Sequence, residues 1–168
     1  GGDALVVRAG ALYHDIGKMN KPQFFIENQV SEYNPHNDLD FEESARIIIN
    51  HVIEGVELAR KNNLPDEIID FIRTHHGTSR TEYFYRMKVK EKGEDEVDQE
   101  MYTYPGPLPY SRETAVLMMA DAVEASSKSM PEKTAVSIDQ LVENIIDGQV
   151  SQNQFENSNI TFRNVNEI

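Results

Sequence analysis

An all-α helical bundle is the fold class this sequence predicts, and three observations carry the prediction. Apolar residues recur at helical spacing in several separate segments, most clearly Ala45, Ile48, Ile49, Val52, Ile53, Val56 and Ala59. No stretch alternates apolar and polar residues long enough to make a half-buried strand. The periodic segments are bounded by residues that start and stop helices, such as Asp40, Pro65 and Ser111 at beginnings and Gly77 and Gly148 at ends.

The first segment, Asp3 to Gly17, places Leu5, Val6, Ala9, Leu12, Tyr13 and Ile16 at roughly helical spacing, without a convincing cap at its start. Residues 19–40 contain Pro22, Pro35 and four asparagines, which predicts a loop with a short turn at Phe24 to Asn28. Asp40 followed by Glu43 suits a capping box, opening a helix that ends near Asn62. Pro65 is placed to be the first residue of the next helix, which carries Ile68, Ile69 and Ile72 and stops at Gly77. A short helix is expected over Glu82 to Val89. The run from Lys90 to Glu100 is a charged, core-free insertion, mobility is expected over about residues 90–104, and Pro105 to Pro109 is rich in turn formers. Ser111 caps a helix through Val116, Leu117, Met119, Ala120, Val123 and Ala125. Another runs from Ser137 to Asp147 and is closed by Gly148, followed by a polar tail from Gln149 with a last helix after Asn159.

The chain of 168 residues is read as a single domain, 1–168, large enough to bury a core. A net charge of −13 argues against a partner such as duplex DNA or RNA, which calls for a basic surface. With no cysteine, any transition metal must be held by His, Asp and Glu. No run of apolar residues is long enough to span a bilayer.

The chemistry-bearing residues sit on the helical segments. His14 and Asp15 lie near the end of the first, His51 within the second, and His75 and His76 at the end of the third. Asp121 lies inside Leu117-Met118-Met119-Ala120-Asp121-Ala122-Val123, where a carboxylate is costly unless paired, hydrogen-bonded or bound to metal. Each part has a plain alternative: a His-Asp pair on a surface, histidines at a helix C-terminus, an aspartate capping a neighbour. Together, six imidazole and carboxylate groups from four helices suit a two-metal site in a bundle core. His36, on the turn Asn34-Pro35-His36-Asn37, is read as structural or exposed.

His14-Asp15-Ile16-Gly17-Lys18, His51, His75-His76-Gly77-Thr78 and Asp121 resemble the HD phosphohydrolase superfamily. The wording is closest to the cytoplasmic domain of bacterial seven-transmembrane HD proteins, which are cyclic di-AMP phosphodiesterases. Phe24 to Gln29, Asn34-Pro35-His36, Tyr104-Pro105-Gly106-Pro107 and Ala120 to Ala125 share in that likeness. The resemblance implies an HD-domain bundle holding two divalent transition-metal ions, iron or manganese foremost. His14, Asp15 and Asp121 would hold the first ion; Asp15, His51, His75 and His76 would hold the second, with Asp15 bridging. The family also carries a ligand histidine on a preceding helix, and no position of this chain matches it. The bundle is therefore expected to lack that most N-terminal helix, leaving the first site one ligand short and the isolated fragment impaired.

The implied function is metal-dependent hydrolysis of a cyclic dinucleotide, cyclic di-AMP to pApA, by two-metal hydroxide attack on phosphorus. Asp15 and Lys18 would be catalytic, and Lys18, Gly77, Thr78 and Arg80 would contact the substrate. The fragment would itself be soluble and would lie on the cytoplasmic face of the bacterial inner membrane, joined to transmembrane segments outside it. Two other classes remain open: a non-catalytic nucleotide-sensing module, and a di-iron oxygenase of the HD type.

Overall fold

In the computed structural model, which describes residues 2–29 and 33–161, six α-helices make up the molecule. They are α1 (Ala4–Tyr13), α2 (Phe41–Lys61), α3 (Asp66–Thr74), α4 (Glu82–Lys92), α5 (Arg112–Lys128) and α6 (Ala135–Ser151). Among the described residues there is no strand, and the extended pairing is confined to an isolated antiparallel bridge between Arg80 and Thr103. The all-α expectation holds.

α1 is capped after all: the Asp3 carboxylate accepts hydrogen bonds from the backbone N–H groups of Leu5 and Val6. It ends at Tyr13, earlier than the periodicity suggests, because the chain tightens into a 3-10 turn at Ile16–Asn20. That turn lets the backbone of Gly17 lie against α2, where a Cβ would fall 1.8 Å from the carbonyl oxygen of His51. α1 also meets α3 closely, at Gly10, where a Cβ would fall 2.3 Å from the ring of Phe71. Two glycines thus bring the end of α1 against both α2 and α3.

Asp40 caps α2 by accepting from Glu42 N–H. The buried face of α2 includes Ala45, Ile47, Ile49, His51, Val52 and Ala59, while Ile53, expected to be inside, is 44% exposed. The helix is rotated slightly from the sequence reading, with Ile47 taking the place of Ile53. α2 ends at Lys61, and Asn63 turns the chain with φ of 55°. Pro65 sits one residue before α3, which stops at Thr74; His75, His76 and Gly77 follow in the turn.

α4 continues three residues past the expected Val89 and is followed by short 3-10 turns at Glu94–Glu96 and Gln99–Tyr102. The run from Lys90 to Glu100 buries no side chain, as expected, but the residues just beyond it do. Tyr102 is fully buried with Ala45 and Tyr85, and Tyr104 is buried with Ile49 and Val52, so the acidic loop is tied down at its far end. Burying rings of this size contributes roughly 1.5–3 kcal/mol apiece, offset at Tyr102 by a buried hydroxyl without a hydrogen-bond partner among the described residues.

Capping boxes open α5 (Ser111 with Thr114) and α6 (Thr134 with Ser137). α6 is longer than its apolar stripe at both ends, so Gly148 lies inside the helix and does not close it. The tail is also less polar in effect than in composition. Gln154 and Phe155 are buried, and Phe155 joins Ala115, Met118, Met119 and Ile146 in one core cluster. The helix expected after Asn159 falls largely on residues 162–168, outside the described residues.

Candidate metal centre

Four helices and the turn after α1 bring six side chains to one place. His14 follows α1, Asp15 precedes the 3-10 turn, His51 comes from the middle of α2, His75 and His76 from the end of α3, and Asp121 from α5. Asp15 is central. Its Oδ2 lies 3.2 Å from His14 Nε2, and its Oδ1 lies 3.3 Å from His51 Nε2 and 3.6 Å from His75 Nε2. Asp121 Oδ1 lies 3.3 Å from His14 Nε2. His76 packs its ring against His75 (4.1 Å between centroids) and is stacked with Tyr104 at 4.2 Å.

Ligand atoms of His51, His75 and His76 lie within 4.8 Å of one another, as do those of His14, His75 and Asp121. The first triad matches three of the four residues expected at the second ion. The other places His75 beside His14 and Asp121, so His75 stands between the two groups while Asp15 reaches toward both with separate oxygens.

The donor set fits divalent cations on a physical ground. The Nδ1–H groups of His14, His51 and His75 donate to the carbonyl oxygens of Ala11, Ile48 and Ile72, at 2.9, 2.5 and 2.8 Å. Each bond fixes the ring and leaves Nε2 as the atom turned toward the cluster. In neutral His51 and His75, therefore, two unprotonated Nε2 atoms face each other at 3.2 Å, and both face Asp15 Oδ1. Asp15 Oδ1 is buried without a hydrogen-bond donor. Lone pairs converging on a buried carboxylate oxygen repel one another, and a cation among them turns that repulsion into coordination.

Electrostatics agree. Burial pushes His75 down and His76 well below the ordinary imidazole value, so both are neutral and able to ligate near pH 7. Burial also opposes charge on His14, but its bonds to Asp121 and Asp15 prevail and raise it to about 10. Asp15 and Asp121 are pulled below the usual carboxylate range against the cost of burial, with the His14 bond the leading favourable cause in each. Without an ion, a proton on His14 does part of what a cation would do.

A pocket of about 180 Å³ opens onto this cluster. Lys18 reaches it from the 3-10 turn, held by Asp15 Oδ2 at 2.7 Å and Glu27 Oε1 at 2.5 Å, with its Nζ 5.1 Å from the Phe25 ring. Burial works against the Lys18 charge, but these carboxylates raise its pKa above the ordinary lysine value. Apolar walls come from Phe25, Ile26, Ile48 and Tyr104.

Three residues expected at the substrate are not brought to this pocket. Thr78 and Arg80 line a separate polar cleft with Gln99, Thr103, Gln152 and Gln154, and Gly77 faces Gln154. Gly77 turns the chain with φ of +51°, which carries the residues after His76 away from the cluster. Thr78 N–H donates to Gln154 Oε1, while Arg80 donates to Glu82 and lies 3.8 Å over the Tyr85 ring. His36 is half-buried, with Nε2 3.0 Å from the Phe24 carbonyl and its ring between Phe24 and Phe84, in keeping with a structural role. Sequence reasoning gave no role to Glu27, Tyr104, Glu124 or Lys128, which all line the pocket. The signal for the last two was present: they follow Asp121 by three and seven residues, on one helix face.

The HD domain family model matches residues 1–126. The chain is 42% identical over 168 residues to the cyclic-di-AMP phosphodiesterase PgpH of Bacillus subtilis, covering 100% of this chain and 23% of that protein. It is 39% identical over 165 residues to PgpH of Listeria monocytogenes, covering 98% of this chain and 23% of that one. The crystal structure of the L. monocytogenes PgpH HD domain in complex with cyclic-di-AMP superposes with a TM-score of 0.94 at 36% identity, covering 98% of this chain and 76% of that chain. This chain spans under a quarter of the length of these curated relatives.

Proposed function

The chain belongs to the HD-domain family, and from that membership and the geometry of its His/Asp cluster we propose that it is a metal-dependent phosphodiesterase that opens cyclic di-AMP to linear pApA. The observation that carries the reading is the arrangement around Asp15: two separate carboxylate oxygens, each facing histidine Nε2 atoms whose Nδ1–H groups are committed to backbone carbonyls. His14, Asp15 and Asp121 would hold one ion and His51, His75, His76 and Asp15 the other, iron or manganese being the leading candidates. Divalent ions bound there supply Lewis acidity toward phosphoryl oxygens and water activated at neutral pH.

The chain's own groups prepare the reaction. The carbonyls of Ala11, Ile48 and Ile72 fix three imidazole rings, so the ligands need no reorganisation when charge develops. Asp15 binds both halves of the cluster and also holds Lys18, which puts an ammonium at the pocket mouth to meet the phosphate under attack. In the net reaction water adds to phosphorus, the bond from phosphorus to the 3′-oxygen breaks, and that oxygen takes up a proton. Phe25, Ile26 and Tyr104 offer apolar surface on which a base can pack.

The domain is proposed to work as one unit over residues 1–168. Its proposed location is the cytoplasmic side of the bacterial inner membrane, anchored by segments outside this chain. No helix among the described residues is long and apolar enough to cross a membrane. The test is to load the full-length protein with manganese or ferrous iron and follow cyclic di-AMP and cyclic di-GMP by chromatography, with Asp15→Ala as control. Metal-dependent formation of pApA that disappears in the control supports the reading. Folded, metal-loaded protein that turns over neither nucleotide refutes it and shifts the assignment to a nucleotide sensor or an oxygenase.

A further inference from the structure

Lys18 and Lys128 are the only lysine or arginine side chains among the described residues lining the pocket. Their commitments differ. Lys18 is bound to Asp15, a member of the metal cluster, and to Glu27. Lys128 pairs at 3.0 Å with Glu124, which is outside the cluster and 59% exposed, so the carboxylate can swing to solvent and release the ammonium. Lys128 also borders a second opening beside His14 and Asp121, so it flanks the cluster on the α5 side while Lys18 flanks it on the other.

The helix explains this placement. Asp121, Ala125 and Lys128 follow i, i+4 and i+7 spacing on α5, a single face. Seven residues at 1.5 Å each put the Lys128 Cα about 10 Å along the axis from that of Asp121. Helical side chains lean toward the N-terminus, so the ammonium reaches back over the turn at Glu124, in agreement with the observed ion pair. A lysine at a helix C-terminus with a glutamate at i−4 also stabilises the helix slightly by itself. That role does not account for its position on both openings of the metal cluster.

A cyclic dinucleotide carries two phosphates, and only one can occupy the cluster at a time. The other stays fully charged in a pocket whose rim carries the carboxylates of Glu27 and Glu124. Resting on the phosphodiesterase reading, we propose that Lys128 is a substrate-positioning residue that binds the phosphate not undergoing hydrolysis, with Glu124 holding its ammonium ready until substrate displaces it. Lys128 thereby selects diesters with a second phosphate over those with one.

The experiment compares Lys128→Gln, Lys128→Arg and wild type in the metal-loaded full-length protein on two substrates: cyclic di-AMP, and bis(p-nitrophenyl) phosphate, which has a single phosphate. Loss of a charged contact in a half-exposed setting should raise KM for cyclic di-AMP about tenfold. The preference for cyclic di-AMP over the single-phosphate ester, as a ratio of kcat/KM values, should fall by about the same factor, with Lys128→Arg restoring most of it. An equal loss on both substrates, or no loss on either, overturns the proposal, since a purely structural role would not distinguish them. Binding of cyclic di-AMP by calorimetry keeps the two readings apart. If wild type binds the nucleotide without turnover, hydrolysis is refuted, and about tenfold weaker binding by Lys128→Gln still decides the anchor.

Discussion

Gly17→Ala is the substitution with the most severe predicted consequence. A Cβ there would lie 1.8 Å from the His51 carbonyl oxygen, 2.8 Å from its carbonyl carbon and 2.7 Å from Gly55 N. All three are backbone atoms of α2, so no side chain can rotate away. The turn and the helix must separate until the closest pair moves from 1.8 Å to at least 3.0 Å, more than an ångström. Overpacking typically costs about 1–3 kcal/mol, and backbone against backbone belongs at or above the top of that range. For a domain of this size, about 3 kcal/mol corresponds to a fall in Tm of roughly 6–12 °C. The same displacement widens the 3.3 Å separation between Asp15 and His51, because these residues lie on the two elements forced apart. Metal affinity should therefore fall by about tenfold to a hundredfold, the usual effect of disturbing the support of metal ligands.

The assay is thermal unfolding of metal-free protein together with calorimetric titration of manganese. Gly148→Ala is the control, since a Cβ there meets nothing within 4 Å. It lies inside α6, where alanine should gain about 0.5–1 kcal/mol over glycine. Unchanged Tm and unchanged metal affinity in Gly17→Ala would refute the claim that Gly17 sets the distance between the turn and α2.

Stability of the metal-free protein should peak near pH 6.5. His14, raised from 6.5 to about 10, contributes stability that is complete below 6.5 and lost as pH rises toward 10; His75 and His76, depressed by burial, contribute stability present above 6.5 and lost as pH falls below it. Tm measured from pH 5 to 10 checks this, and bound metal should flatten the alkaline side, where the His14 proton is no longer needed. Gln154→Leu leaves the Thr78 N–H without its 3.0 Å acceptor and should cost about 1–3 kcal/mol in denaturant unfolding. Asp40→Ala removes both the α2 cap and the 2.8 Å partner of the buried Lys88, and the cap alone should cost about 0.5–2 kcal/mol. No change in unfolding free energy in that variant would mean that the start of α2 is held by other contacts.

The sequence was informative wherever one physical rule acts locally. Repeating isoleucine and valine positions located α2 and α3, and Ser111 marked the start of α5, because periodic burial and capping depend on near neighbours. Six ligand candidates could be read because histidine and aspartate among core residues are costly without a partner. What escaped was decided at long range. Tyr102 and Phe155 sit in acidic or polar stretches and are buried because distant helices leave room for them, which composition nearby does not report. Thr78 and Arg80 follow the histidine pair closely in sequence, yet the left-handed turn at Gly77 and the bond to Gln154 send them to another cleft. Asp3 is a weak cap signal in the sequence because the hydrophobic pattern begins so soon after it, yet its side chain bonds two N–H groups.

The acidic balance of the chain and its proposed anionic substrate are reconciled at the cluster itself. Without ions, Asp15, Glu27, Asp121 and Glu124 face Lys18, Lys128 and a protonated His14, so the pocket does not favour a dinucleotide bearing two negative charges. Two divalent cations bound there, even at the cost of the His14 proton, would reverse the sign of that environment while the net charge of the chain stays negative. Substrate and metal affinities are then linked: whatever factor metal adds to nucleotide binding, nucleotide must return to metal binding. A surface of net charge −13 also disfavours polyanions, which touch it over a wide area, while a small cyclic molecule can sit within reach of the ions alone. On the proposed reading, this arrangement would restrict an acidic protein to compact phosphate diesters through local charge, with Asp15 joining the proposed metal ligands to Lys18.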